Sequence, residues 1–301
     1  MESLFGVMIG LFGAALQSCS YVCSGKYVRE TGRGMLSLLL PSFVLMSAVS
    51  FAALPFIAGV DMPPMRAYAS PAMLCMLFCI GGQAGMFFLL KTVDASRVSP
   101  LLAVKVPMLA LFYFAFFGEK YTPMQWLGVV LVIPAAWLLC KAGRRIPVRA
   151  LLWLFFCCVF FAASDHCIKL VLAVFKDCGS VLRSSTLGFL AVYAAGGIYG
   201  AAGMACGIVP TRREFTRYIL PFSVFWYFGI AVLFVCFAEI GIVNGNVVQS
   251  TRGLISVVIG WFIARAGFER LEEKVPPTIF VKRVISAILV IFAVLLFNLE
   301  R

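Results

Sequence analysis

Apolar stretches of about 20 residues, the length an α-helix needs to cross roughly 30 Å of hydrocarbon, can be read ten times along this chain of 301 residues. They fall at residues 3–24, 35–59, 69–90, 98–117, 123–140, 150–173, 184–207, 219–239, 245–264 and 278–298. Between them stand short segments that combine charge with Gly or Pro, such as RETGRG, DMPPMR, GEKYTP, KAGRRIP and VPTRRE. Hydrophobic residues make up 62% of the chain and charged ones 13%, far from the usual soluble balance of about 45–50% and 25%. The solvent for most of this chain is therefore lipid, and the expected fold class is an all-α membrane protein with ten transmembrane helices. No soluble domain remains, and no Walker-type glycine loop points to ATP. The first span lacks a basic leader and is expected to be a retained helix, not a cleaved signal peptide.

A net charge of +12 in such a chain bears first on orientation, not on nucleic acid. Odd-numbered loops carry Lys26, Arg29, Arg33, Lys91, Arg97, Lys141, Arg144, Arg145, Arg149, Arg212, Arg213, Arg217, Arg265, Arg270 and Lys274, fifteen of the 25 basic residues. Even-numbered loops and the termini hold Arg66, Lys120, Lys176, Arg183 and Arg301. The positive-inside rule places the odd loops in the cytoplasm and both termini outside a cytoplasmic membrane. Ten of the eleven cysteines lie inside the apolar runs and Cys178 at the end of one, where Cys serves as a small apolar residue. With a single histidine in the chain, neither a soft-metal site nor a disulfide set is expected, and no cofactor is implied.

A repeat organises the spans. Ala14 to Cys19, AALQSC, return as AASDHC at Ala162 to Cys167, a shift of 148. Further along, Val98 falls on Val243 and Asp94 on Glu239 at a shift of 145, and GEKY at Gly118–Tyr121 has a counterpart in LEEKV at Leu271–Val275. The KAGRRIP linker divides the chain into residues 1–142 and 149–301, five spans each. Because five is odd, the second copy crosses the membrane in the opposite sense, giving two inverted five-helix repeats around a central cavity.

Ten short helices in a five-plus-five duplication, with Asp94-Ala-Ser-Arg-Val-Ser-Pro100, then Gly118-Glu119 and Gly128 in GEKYTPMQWLG, resemble the drug/metabolite transporter superfamily and its EamA-like transporters. The second half departs from that signature, with Leu271-Glu-Glu-Lys274 in place of Gly-Glu and Lys282-Arg283 where the glycine is expected. The resemblance implies a basket of helices around one cavity, alternating access and no use of ATP.

A charged side chain deep in a spanning helix costs about 2.5–3.5 kcal/mol on insertion scales, so each one needs a reason. Lys105 and Arg252 lie seven residues into the fourth and ninth spans, roughly 10 Å deep at 1.5 Å per residue. The 145 register sets Lys105 against Ser250 and Arg252 against Pro107, which makes the two cations independent additions on equivalent faces. Together they suit an anionic group, a guanidinium supplying a fork and an ammonium a point charge. Snorkelling and binding to helix-end carbonyls are the structural alternatives. Gln17, Gln83, Asn246, Gln249 and Ser250 are the polar residues expected to line the same site. In the sixth span, Asp165 and His166 are candidates for coupling to protons, with Lys169 four residues from Asp165 as its expected ion-pair partner. Gly6/Gly10, Gly81/Gly85 and Gly196/Gly200 read as close helix packing, and Trp226, Tyr227 and Trp261 as packing or stacking rings.

The expected function is secondary active transport of a small metabolite. A flippase for lipid-linked substrates on the same fold, or a membrane-embedded enzyme, are the alternatives. Expected partners are the metabolite, the lipid bilayer and either protons or a counter-substrate, with no nucleic acid; the reading leaves room for a homodimer.

Overall fold

All the long apolar runs are helical in the computed structural model, which describes residues 2–59, 62–91, 93, 95–118, 120–141, 146–267 and 276–298. Among the described residues there is no strand. The helices are α1 (Glu2–Thr31), α2 (Leu36–Ile57), α3 (Met65–Leu90), α4 (Ala95–Leu101), α5 (Lys105–Phe117), α6 (Pro123–Lys141), α7 (Val148–Phe175), α8 (Val181–Ala205), α9 (Arg212–Glu214), α10 (Leu220–Ile240), α11 (Ile242–Ser250), α12 (Arg252–Arg265) and α13 (Pro277–Asn298). Eight stretches are long and apolar enough to cross a membrane among the described residues: Leu4–Thr31, Leu36–Ile57, Met65–Leu90, Val98–Phe116, Val148–Phe175, Val181–Ala205, Arg212–Ile240 and Asn244–Arg265. Asp94, Glu119, the linker residues 142–145 and Leu271–Val275, all used in reading the repeat, lie outside the described residues.

The chain punctuates its helices by local chemistry. Gly118 takes φ 67° after α5, and Gly241 takes φ 81° between α10 and α11, backbone that only glycine adopts without strain. Thr122 and Gln125 close a reciprocal cap at the start of α6, Gln125 N donating to Thr122 Oγ1 at 3.3 Å and Thr122 N to Gln125 Oε1 at 2.8 Å. Thr211 and Glu214 form the same box before α10. Between α9 and α10 the residues Phe215–Ile219 are π-helical.

Two spans are broken at mid-depth. The fourth passes from α4 through a 3-10 turn at Leu102–Val104 into α5. Pro107 explains the position: it has no N–H to give the carbonyl four residues back, that of Ala103, and its ring crowds that carbonyl. The ninth passes from α11 to α12 at Thr251. There Thr251 Oγ1 donates to Val248 O at 2.7 Å and Thr251 N to the same oxygen at 3.1 Å, a back-bond of the kind that bends helices.

Helices pack mainly as α3 with α7, α1 with α10, α2 with α8, α6 with α13, and α4 with α12. Glycines make these approaches close. A Cβ at Gly10 would stand 2.7 Å from Cys236 Sγ, at Gly82 2.7 Å from Phe161, and at Gly200 2.6 Å from Leu40 O. At Gly253 it would meet Pro100 Cα at 2.8 Å, where the two broken spans cross. Large apolar side chains such as Phe56, Phe116 and Val148 point outward, 90%, 76% and 72% exposed, a surface that suits hydrocarbon and not water. Cys206, placed by sequence inside the seventh span, sits in the turn after α8 and is exposed.

Candidate functional site

The breaks put the two deep cations in the same place. Lys105 is the first residue of α5 and Arg252 the first residue of α12. Their numbers differ by 147 (252 − 105), two more than the shift of 145 that sets Lys105 against Ser250. Both side chains are buried, Lys105 5% and Arg252 3% exposed.

They do not face one another as a bare cationic pair. Lys105 Nζ lies 2.9 Å from Asp165 Oδ2 and donates to Gln249 Oε1 at 2.8 Å. Gln249 Nε2 donates to Gln17 Oε1 at 2.9 Å, and Arg252 NH1 donates to the same Gln17 oxygen at 3.0 Å. One continuous network thus runs Asp165, Lys105, Gln249, Gln17, Arg252 across α7, α5, α11, α1 and α12. The backbone at the break is also satisfied: Arg252 O accepts from Ser18 Oγ at 3.1 Å and from Ser99 Oγ at 3.3 Å, as hydrocarbon demands of irregular backbone.

Charge counting along this network is uneven. Asp165 neutralises Lys105, whereas Arg252 has only an amide oxygen and the face of Tyr21, 5.4 Å from its guanidinium carbon. Among the described residues Arg252 Nε and Tyr21 Oη have no hydrogen-bond partner, and Arg252 forms no ion pair. A cavity of about 40 Å³ lies against these groups, walled by Gln17, Tyr21, Lys105, Asp165, Gln249 and Arg252 together with Phe161, Tyr193, Trp226 and Phe234. At about 10–15 Å³ per water it holds a few waters and no metabolite.

A second, larger cavity of about 470 Å³ stands one helical turn beyond, at the face of the even-numbered loops. Tyr113, Lys169, Lys176, Ser184 and Asn244 line it with an apolar wall from Leu172, Phe237 and Ile242. At the opposite face, α1 and the start of the eighth span are tied together. Glu30 Oε2 meets Arg217 NH2 at 2.9 Å and accepts from Tyr218 Oη at 2.6 Å, and Arg33 NH1 meets Glu214 Oε1 at 3.0 Å. The molecule is thus hollow toward one face, and toward the other two ion pairs tie α1 to the start of the eighth span.

Of the residues singled out in the sequence, Gln17, Lys105, Asp165, Gln249 and Arg252 come together. Gln83 is fully buried in α3 away from the cavity, with neither amide atom hydrogen-bonded among the described residues. Asn246 is buried and donates to Ile242 O of its own helix at 2.9 Å, and Ser250 is buried just before the break. Neither lines the cavity. His166 Nδ1 stands 2.7 Å from Tyr113 Oη, outside both cavities. The expected Asp165–Lys169 pair is not formed: Asp165 turns to Lys105, and Lys169 Nζ lies 5.0 Å over the ring of Tyr113. Sequence reasoning missed the ring walls Phe161, Tyr193 and Phe234, which nothing distinguishes from other buried aromatics. It met Arg283 only as a departure from the family signature, whereas on α13 this residue is a third buried cation among the described residues.

Residues 4–140 match the model of the EamA-like transporter family. An uncharacterized transporter in the cobO 3' region of Sinorhizobium sp is 45% identical over 53 residues, 18% of this chain. The chain spans 38% of the length of that curated relative. A protein of known crystal structure is similar over 98% of this chain and 99% of its own, with a TM-score of 0.59 and 16% identity, a likeness of fold. With eight described stretches long and apolar enough to cross a membrane, the chain is a multi-pass integral membrane protein.

Proposed function

We propose that this chain, an EamA-like transporter family member through residues 4–140, is a secondary active transporter of a small metabolite with an anionic group. Arg252 receives that group, Lys105 assists, and Gln17 and Gln249 orient both. The chain works by alternating access in a cytoplasmic membrane, as two inverted five-helix repeats, residues 1–142 and 149–301. The repeat is supported by helix packing, because exchanging each of the first five spans for its counterpart in the second five leaves the set of main pairs unchanged. The α3–α7 contact becomes the α1–α10 contact, and the other three map onto themselves.

The observation that carries the substrate reading is a broken symmetry. Asp165 bonds Lys105 and Gln17 bonds Arg252, and Gln17 and Asp165 are matched by the 148 shift of the AALQSC echo. One copy of the site has a carboxylate on its cation; the other has a neutral amide. One positive charge is left over in a buried, aromatic-walled cavity, and buried charges are paired or bind something. An incoming carboxylate or phosphate on Arg252 supplies the missing charge. Access comes from the hollow, even-loop face, while Glu30–Arg217 and Arg33–Glu214 hold the other face shut until the cavity is filled.

A thermal-shift screen of purified protein against anionic, zwitterionic and cationic metabolites identifies the ligand, since only compounds that bind the native state raise its melting point. In proteoliposomes Arg252→Gln then weakens the apparent affinity for that ligand by roughly 30-fold or more, the usual cost of truncating one partner of a buried charge pair, while Arg252→Lys retains part of it. Unchanged flux and affinity in Arg252→Gln refute the assignment.

A further inference from the structure

The larger cavity is built of different residues from the central network, and its charge is one-sided. Lys169, Leu172 and Ala173 line it from α7 and Lys176 from the cap directly after it, at spacings of three, four and seven; Lys176 keeps helical dihedrals, φ −53° and ψ −38°, so the two lysines sit about two turns apart along the same wall. Neither lysine forms an ion pair among the described residues, and no acidic side chain is part of the lining. The opposite walls are apolar, from Phe237, Ile240 and Ile242, with Ser184 and Asn244 as polar points. At about 470 Å³ the space falls in the range of small-molecule sites, 300–1,000 Å³. The central cavity, about 40 Å³, does not.

We infer that this vestibule is a second anion-binding site, distinct from the one at Arg252, which takes an amphipathic organic anion with its carboxylate or phosphate between Lys169 and Lys176 and its short apolar body against Phe237 and Ile242. It rests on the transport reading only for its role, as the waiting position from which the anion moves down one turn of α7, from Lys169 toward the Lys105–Asp165 pair. The tilted packing of Tyr113 and His166, ring centroids 5.6 Å apart, closes one side of that path, with Lys169 held over the Tyr113 ring.

The test reads the vestibule directly. Ala173→Cys places a thiol on the exposed lining between the two lysines, in protein held in phosphatidylcholine nanodiscs. Its modification by methanethiosulfonate reagents of matched size, one bearing a sulfonate and one a trimethylammonium, is followed on the labelled peptide by mass spectrometry, so that native cysteines do not interfere. Relative to a free thiol in solution, the anionic reagent is expected to be favoured roughly tenfold by two lysines within about 10 Å. Lys169→Gln/Lys176→Gln brings that ratio close to one. Benzoate and phenyl phosphate slow the labelling with saturation, and benzylammonium does not.

A ratio unmoved by the double substitution overturns the site. So does slowing reproduced by sodium chloride at equal ionic strength, which is screening and not binding. Slowing only when phosphatidylglycerol is added to the disc assigns the lysines to a lipid headgroup and overturns it equally. Ala238→Cys, on the facing wall, repeats the measurement if Ala173→Cys elutes as aggregate. Arg252→Gln leaves ratio and protection intact whatever it does to transport, so the vestibule and the central site fail separately.

Discussion

Replacing Asp165 by Asn keeps the shape of the side chain and removes its charge, and the structure fixes what that does. Lys105 Nζ sits 2.9 Å from Asp165 Oδ2, and the two side chains are 6% and 9% exposed. At that separation and an effective dielectric of about 20, the attraction is about 6 kcal/mol, much of which desolvation of the two groups offsets. Removing the carboxylate alone leaves that desolvation uncompensated and adds the repulsion of Arg252 through the Gln249–Gln17 bridge. Breaking one side of a buried pair costs about 3–5 kcal/mol. For a chain of 301 residues, at about 2.1 cal/mol/K per residue of unfolding entropy, the melting point falls by roughly 5–8 °C. Gel filtration of detergent-solubilised protein after stepwise heating measures this directly.

The compensating variant makes the reasoning falsifiable. Lys105→Met/Asp165→Leu removes both charges and keeps the volume apolar, so it returns most of the loss, because a buried pair replaced whole by hydrophobic residues is commonly neutral or stabilising. The coupling between the two sites is the non-additivity of the cycle. An Asp165→Asn melting point within about a degree of the parent, or a double variant as unstable as the sum of the singles, refutes the pair as the electrostatic centre of the fold.

Gln17→Asp completes the symmetry by giving Arg252 a carboxylate of its own; it is expected to raise the melting point and to abolish the ligand-induced thermal shift, whereas a retained shift contradicts the role of Arg252 as the open cation. Gly253→Ala drives a Cβ to 2.8 Å from the Pro100 backbone and lowers stability by about 1–3 kcal/mol, while Gly25→Ala, with nothing within 4 Å, leaves the same heating assay unchanged or improved through helix propensity.

The spans were legible because hydrocarbon permits few solutions: runs of 20 apolar residues became helices, with bounds shifted where polar residues extend a helix past the lipid. The first helix continues to Thr31, not to residue 24, because Tyr27 and Glu30 find Tyr218 and Arg217 beyond the apolar stretch. Close glycine packing was legible from spacing alone. The network was half legible. Lys105, Asp165 and Arg252 stood out as charges in the wrong solvent, but the i, i+4 rule sees only one helix and matched Asp165 with Lys169. Lys105 is 60 residues away from Asp165, and only packing of α5 on α7 brings them together. The break at Pro107 had a sequence signal; the one at Thr251, made by a hydroxyl back-bond, had none. The vestibule draws on five helices, α5, α7, α8, α10 and α11, and no local pattern announces such a composite.

On the transport reading proposed above, the uneven charge of the network bears on how the chain avoids leaking. With its cavity empty, the chain keeps one unneutralised guanidinium beside an aromatic wall, and any rearrangement that carries Arg252 through a fully dry intermediate must bear its desolvation alone, a cost of several kcal/mol. With an anion on Arg252 the same rearrangement moves a neutral set of four charges: Lys105 with Asp165, Arg252 with the ligand. On that reading the difference selects the loaded form for passage and holds the empty form on the side where water reaches it. Both breaks lie at the residues that bear these charges, the 3-10 turn directly before Lys105 and Thr251 directly before Arg252, so neutralising either cation acts on the joint of its own span. A fully symmetric site with two Asp–cation pairs would be more stable and would have nothing left with which to sense the ligand.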